Sequence, residues 1–138
     1  MTIARYISRS NSDGADRLLW NAVTKAHAGS GTDPIHMIAY NTTYKVSWAV
    51  ATAWLAWLEQ EYIPEIMASG IFERYALYRL LEQDDTEGPT YTIQYFTVSK
   101  ERLDTYLTEF DAGLRRKSQQ TWNDQVIGFS SVLQQMRE

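Results

Sequence analysis

From Ile38 onward the spacing of apolar residues switches from every second position to every third or fourth and back again, twice over. The run IAYNTTYKV sets Ile38, Tyr40, Thr42, Tyr44 and Val46 on one side, which is the period of a strand. Val50, Trp54, Trp57, Leu58 and Tyr62 then recur at three and four, the period of a helix packed along one stripe, with Ser47 as its expected N-cap. Pro64 has no backbone donor and crowds the carbonyl four residues back, so this helix must kink or restart there. Gly70 is placed to end it, because glycine accepts the left-handed cap conformation. FERYALYRLLEQ and TYTIQYFTV are rich in aromatic and branched residues and flank DDTEGP, which predicts a hairpin. Ser99 is expected to cap a second helix with the stripe Leu103, Tyr106, Leu107, Phe110 and Leu114, and QVIGFSSVLQQ (125–135) to form a last strand.

Strand, helix, strand, strand, helix, strand is the split βαβ order. It predicts an α+β, ferredoxin-like βαββαβ domain over residues 37–138, with two helices on one face of a four-stranded antiparallel sheet. Residues 1–36 read differently. Loop-like SRSNSDGAD and AGSGTDP enclose ADRLLWNAVTKA, where Leu19, Val23 and Ala26 fit one short helix. This stretch is expected to be an N-terminal extension, partly flexible or holding that helix.

A sheet covered on one side should alternate apolar with polar. Here Phe96 and Val98 lie opposite Tyr91, Ile93 and Tyr95, and Ile127, Phe129 and Leu133 lie opposite Val126 and Val132. Soluble monomers avoid a large contiguous apolar patch, so the sequence predicts a homodimer made through the open sheet face. Two such sheets would enclose a central space.

Several chemistries are excluded or disfavoured. With no cysteine among 138 residues there is no disulfide, thiolate metal site or cysteine nucleophile. A net charge of -4 argues against a nucleic-acid partner, which needs clustered cations. No apolar run is long enough for a membrane span, and no secretory h-region is seen near the N-terminus, so the cytoplasm is the expected compartment. His27 and His36 both precede the domain, which removes the commonest general base and metal ligand from it. No metal or cofactor is expected.

The remaining candidates are read against plain structural roles. Glu61 and Glu65 have helical spacing, but Pro64 disturbs it, and a solvated face is the simpler reading. Asp84, Asp85 and Glu87 lack the alternation of a calcium loop and read as turn residues. Arg115, Arg116 and Lys117 are expected to close the second helix, where cations complement its dipole. Trp54 and Trp57 read first as core anchors, and the many tyrosines as buried rings whose hydroxyls can line a pocket. The residues expected to meet a ligand are Asn41, Trp54, Tyr62 and Tyr95.

The segments WLAWLEQEYIPEIMASGIF, YTIQYF and YLTEFDAGLRRK give the chain a resemblance to the domain of unknown function 4286, a family of small bacterial proteins, over residues 37–136. Trp54, Trp57, Ile63, Pro64, Glu65, Gly70, Phe72, Tyr95, Leu114 and Arg115 carry the match. The resemblance implies a dimeric α/β-barrel of ferredoxin-like type, as in antibiotic-biosynthesis monooxygenases, and no particular reaction. Tyr62 and Phe110 stand where relatives have histidine, and Ser130 where they have arginine. The expected function is therefore a homodimeric barrel that binds a small apolar or aromatic molecule without catalysis. The alternatives are a cofactor-independent monooxygenase- or isomerase-like enzyme using Asn41, Trp54 and Tyr62, and a structural interaction module.

Overall fold

Strand β1 (Ile38–Val46) occupies an inner position of a four-stranded sheet in the order β2-β3-β1-β4, with β2 spanning Arg74–Arg79, β3 Thr90–Thr97 and β4 Val126–Gln134. All pairings are antiparallel. The structure, a computed structural model, describes residues 36–138. The expected extension, apart from His36, lies outside the described residues. Two helical segments cross one face, so the ferredoxin-like α+β architecture expected from the period switching is the architecture seen.

The register explains why this side holds the core. Tyr40 pairs with Tyr95 and Val132, and Thr42 with Ile93 and Ser130, so these side chains share one face. Trp54, wholly buried, sits between Tyr44 (5.3 Å between ring centroids) and Tyr91 (5.5 Å). Tyr95 packs on Phe72 at 5.3 Å, and Phe72 meets Tyr106 edge-on at 4.9 Å. Aromatic pairs at these separations add to the burial of their area.

Both helical segments are broken, each for a local reason. The first comprises α1 (Ala51–Trp57), a π-helical turn (Leu58–Tyr62) and α2 (Ile63–Met67). Pro64 lies in the first turn of α2, where its missing N–H costs nothing, and the widened turn before it accommodates the ring. Ser47 is not the N-cap. Its carbonyl accepts from the Val50 N–H in a turn that precedes α1, which starts at Ala51 with Val50 at the N-cap position and no side-chain cap. Gly70 has φ 75°, as a helix stop requires. Ser99 does cap α3 (Lys100–Glu109), accepting from the Arg102 N–H at 3.2 Å.

At Phe110, with φ −118°, the second segment is interrupted and resumes as α4 (Asp111–Trp122). Arg115, Arg116 and Lys117 therefore lie within α4, not at a helix C-terminus. Phe110 leaves the buried stripe and is 37% exposed, stacked on Tyr106.

The helix-free face mixes characters. Phe96 lies under the Arg74 guanidinium at 3.8 Å, and Ile127, Leu133 and Tyr78 are exposed. Between them runs a polar strip of Asn41, Gln94, Thr92 and Ser131, with Thr43 and Thr92 hydroxyls 3.1 Å apart.

Trp54 is enclosed by sheet and helix, whereas Trp57 is half-buried against Tyr62 (4.7 Å) and Trp122 (5.6 Å). Trp54→Ala is expected to lower the unfolding free energy by about 3–5 kcal/mol, and Trp57→Ala by distinctly less. Urea denaturation of the two variants checks the order, and equal losses would contradict this packing.

Candidate functional site

A cleft of about 730 Å³ opens at the β4 edge of the sheet, beneath α4. Its floor is the rings of Tyr44 and Tyr62 with Val126 and Gly128. Gly128 is needed there: a Cβ would fall 2.6 Å from the Tyr44 ring, so only glycine lets the tyrosine lie flat across β4. Arg115, Ser118 and Gln119 of α4 form the polar wall, and Asn123 and Asp124 close one end. Ile127 and Phe129 form the rim on the strand side.

Behind the wall lies a connected polar group. The Tyr40 hydroxyl donates to Asp111 Oδ1 at 2.9 Å and accepts from Arg115 Nη2 at 2.9 Å. The same Nη2 donates to Ser130 Oγ at 2.7 Å, and Arg115 Nε faces Asp111 Oδ2 at 2.8 Å. Asp111 is largely enclosed while Arg115 remains half exposed. Lys117 reaches across to Glu65 of α2 at 2.8 Å, a surface pair that ties α4 to the first helical segment.

The tyrosines around this group form a common field. Burial pushes the Tyr44 phenol up to about 12, with the Tyr40 oxygen adding to it. Burial likewise holds Tyr62, Tyr95 and Tyr106 far above the usual phenol range, reinforced by each other's oxygens and, at Tyr62 and Tyr106, by Asp111. Partial burial opposes the charge on Arg115, but its bond to Tyr40 and the nearby Asp111 carboxylate more than offset that and raise its pKa. The guanidinium is always charged, and the phenols are neutral, near pH 7. The buried Tyr95 hydroxyl has no hydrogen-bond partner among the described residues.

The four residues expected to meet a ligand separate here. Tyr62 lines the cleft, and Tyr95 lies behind it in the same tyrosine field. Trp54 is one layer deeper, touching the cleft only through Tyr44. Asn41 points from the opposite face of the sheet, so it is not brought together with the others. Sequence reasoning missed Asp111 altogether and took Arg115 for a helix-end cation, although their separation of four residues is an ion-pair spacing on a helix. Ser118, Gln119 and Asn123 carried no signal beyond polarity. Among the described residues no three histidine, aspartate or glutamate side chains gather as a metal site, and no helix is long and apolar enough to cross a membrane.

The model of the family Domain of unknown function (DUF4286) matches residues 37–136. The chain belongs to the DUF4286 family. The DUF4286 domain is similar in fold to a dimeric ferredoxin-like protein from an uncultured marine organism, at 11% identity and a TM-score of 0.55, covering 75% of this chain and 97% of that one. It is also similar to an EthD-like protein from Ralstonia eutropha JMP134, at 12% identity and a TM-score of 0.52, covering 70% of this chain and 89% of that one. At such identities the likeness is one of fold. No curated protein matches. Of the three residues that the sequence resemblance singled out as departures, Tyr62 lines the cleft, Ser130 accepts from Arg115, and Phe110 directly precedes Asp111.

The raised phenols make stability depend on alkaline pH. Below about pH 10 the tyrosines are neutral in both folded and unfolded chains; above it the unfolded chain releases protons that the folded chain retains. The unfolding free energy should therefore fall steadily between about pH 10 and pH 12. Urea denaturation across that range checks this, and a flat profile would contradict the buried tyrosine field.

Proposed function

We propose that the protein is a cytoplasmic homodimer that holds a small apolar or aromatic molecule in the cleft beneath α4 without transforming it. The observation that carries this reading is the floor of neutral, buried tyrosines in a cleft of about 730 Å³. That volume lies within the roughly 300–1,000 Å³ typical of small-molecule sites, and an aromatic floor with a few polar wall groups is their usual make-up. A general base works best with a pKa near the working pH. Burial displaces the Tyr44 and Tyr62 phenols upward from it, so they stay neutral near pH 7 and are poorly suited to take a proton from a bound molecule.

The helix-free face supports the pairing with a second copy. Ile127, 61% exposed, and Phe129 belong to that face by register and also rim the cleft. With Phe96 and Tyr78 they supply apolar surface that a twin sheet would cover, while the polar strip between them would give the pairing its register. The similar marine protein is described as dimeric, which supports a dimer for this chain.

Sedimentation velocity at micromolar concentration should show a dimer that Ile127→Glu converts to monomer; a monomeric wild type would contradict the pairing. The ligand reading is tested by titrating 2-naphthol while following tryptophan fluorescence. One saturable site per chain is expected, blocked by Gln119→Trp, which fills the cleft from an exposed helix position. The recovered naphthol should be chemically unchanged. Absence of saturable binding, or equal binding by Gln119→Trp, would overturn the cleft assignment.

A further inference from the structure

Arg115 is fixed in place, yet it is not fully used. A guanidinium carries five N–H donors. Nε is taken by Asp111 and Nη2 by Tyr40 and Ser130. Among the described residues no hydrogen bond reaches Nη1, although Arg115 lines the cleft and its side chain is 56% exposed. Two donors of a locked cation are therefore left on a residue that lines the cleft. Arginine side chains ordinarily lose several rotatable bonds' worth of freedom when they grip a ligand; here the network has already removed it.

We infer that the cleft is built for an aryl carboxylate, with the aromatic body on the Tyr44 and Tyr62 rings and the carboxylate on the Nη1 edge of Arg115. This inference rests on the cleft reading above and narrows it to a ligand class. Ser118, Gln119 and Asn123 are neutral groups in the same lining. Asp111 offers its oxygens to Tyr40 and Arg115 and is mostly enclosed, so it offers the ligand little exposed negative surface. Among the described residues Asp124 is the one lining carboxylate that opposes an anion, and it lies at the Asn123–Gln125 turn, past the end of α4. Arg115 also stays charged at any pH at which a carboxylic acid ionises.

The test compares three probes of one shape: 2-naphthoate, 2-naphthol and protonated 2-naphthylmethylamine. Charge-assisted bonds to a fixed guanidinium should make naphthoate bind about tenfold to a hundredfold more tightly than naphthol, with the ammonium weakest. Asp124→Asn, at an exposed turn, should tighten naphthoate severalfold and leave naphthol unchanged. Arg115→Gln should erase the preference, with thermal unfolding used to confirm that the variant is folded. If naphthol binds as well as naphthoate, or the ammonium binds best, the anion assignment is wrong while the cleft stands. If none of the three binds, the cleft reading itself fails and this inference with it.

Discussion

The polar tie that fastens α4 to the sheet joins Tyr40 of β1, Asp111 and Arg115 of α4, and Ser130 of β4. The helix buries only one residue, Leu114, among its twelve. Burying one leucine is worth about 1.5–3 kcal/mol, and beyond it α4 has the half-buried Trp122 on Trp57 and the surface pair Lys117–Glu65. Hydrogen bonds are directional where apolar contact is not, so this small network sets the distance and rotation of α4 over the β4 edge. The cleft is the gap that results.

The same tie places charge and aromatic surface side by side. Arg115 is pinned at the mouth of a tyrosine-floored hollow because its other donors are engaged behind it. Tyr44 lies flat in that floor because Gly128 leaves room for its ring. Tyr62 is delivered by the π-helical turn that precedes Pro64, so a proline that looks like a mere helix breaker also helps shape the floor. Widened helical turns of this kind occur disproportionately at functional sites.

Much of the fold was legible in the sequence, because strand and helix periods are set by local sterics. The strand parities of β1, β3 and β4, the break at Pro64, the stop at Gly70 and the cap at Ser99 all follow from single residues or short patterns. The errors came where a distant partner decides. Ser47 is a good cap by type, but the chain makes a turn from Ser47 to Val50 before α1 starts. The apolar stripe runs through Phe110, yet the chain breaks there and Asp111 begins a new helix against Tyr40. The cleft was the least legible part, since its wall is the polar face of α4, which in sequence looks like any solvated surface. Asn41 is a different case: its odd position in a strand whose even positions face the helices already assigned it to the other side.

A double-mutant cycle on Tyr40→Phe and Asp111→Asn, read by urea denaturation, tests most directly whether this tie orders the helix. If the hydroxyl and carboxylate act as one unit, the two losses will fail to add, with a coupling of about 1–3 kcal/mol. Losses that add to within about 0.5 kcal/mol would mean that α4 is held by something else, and the origin proposed for the cleft would be wrong.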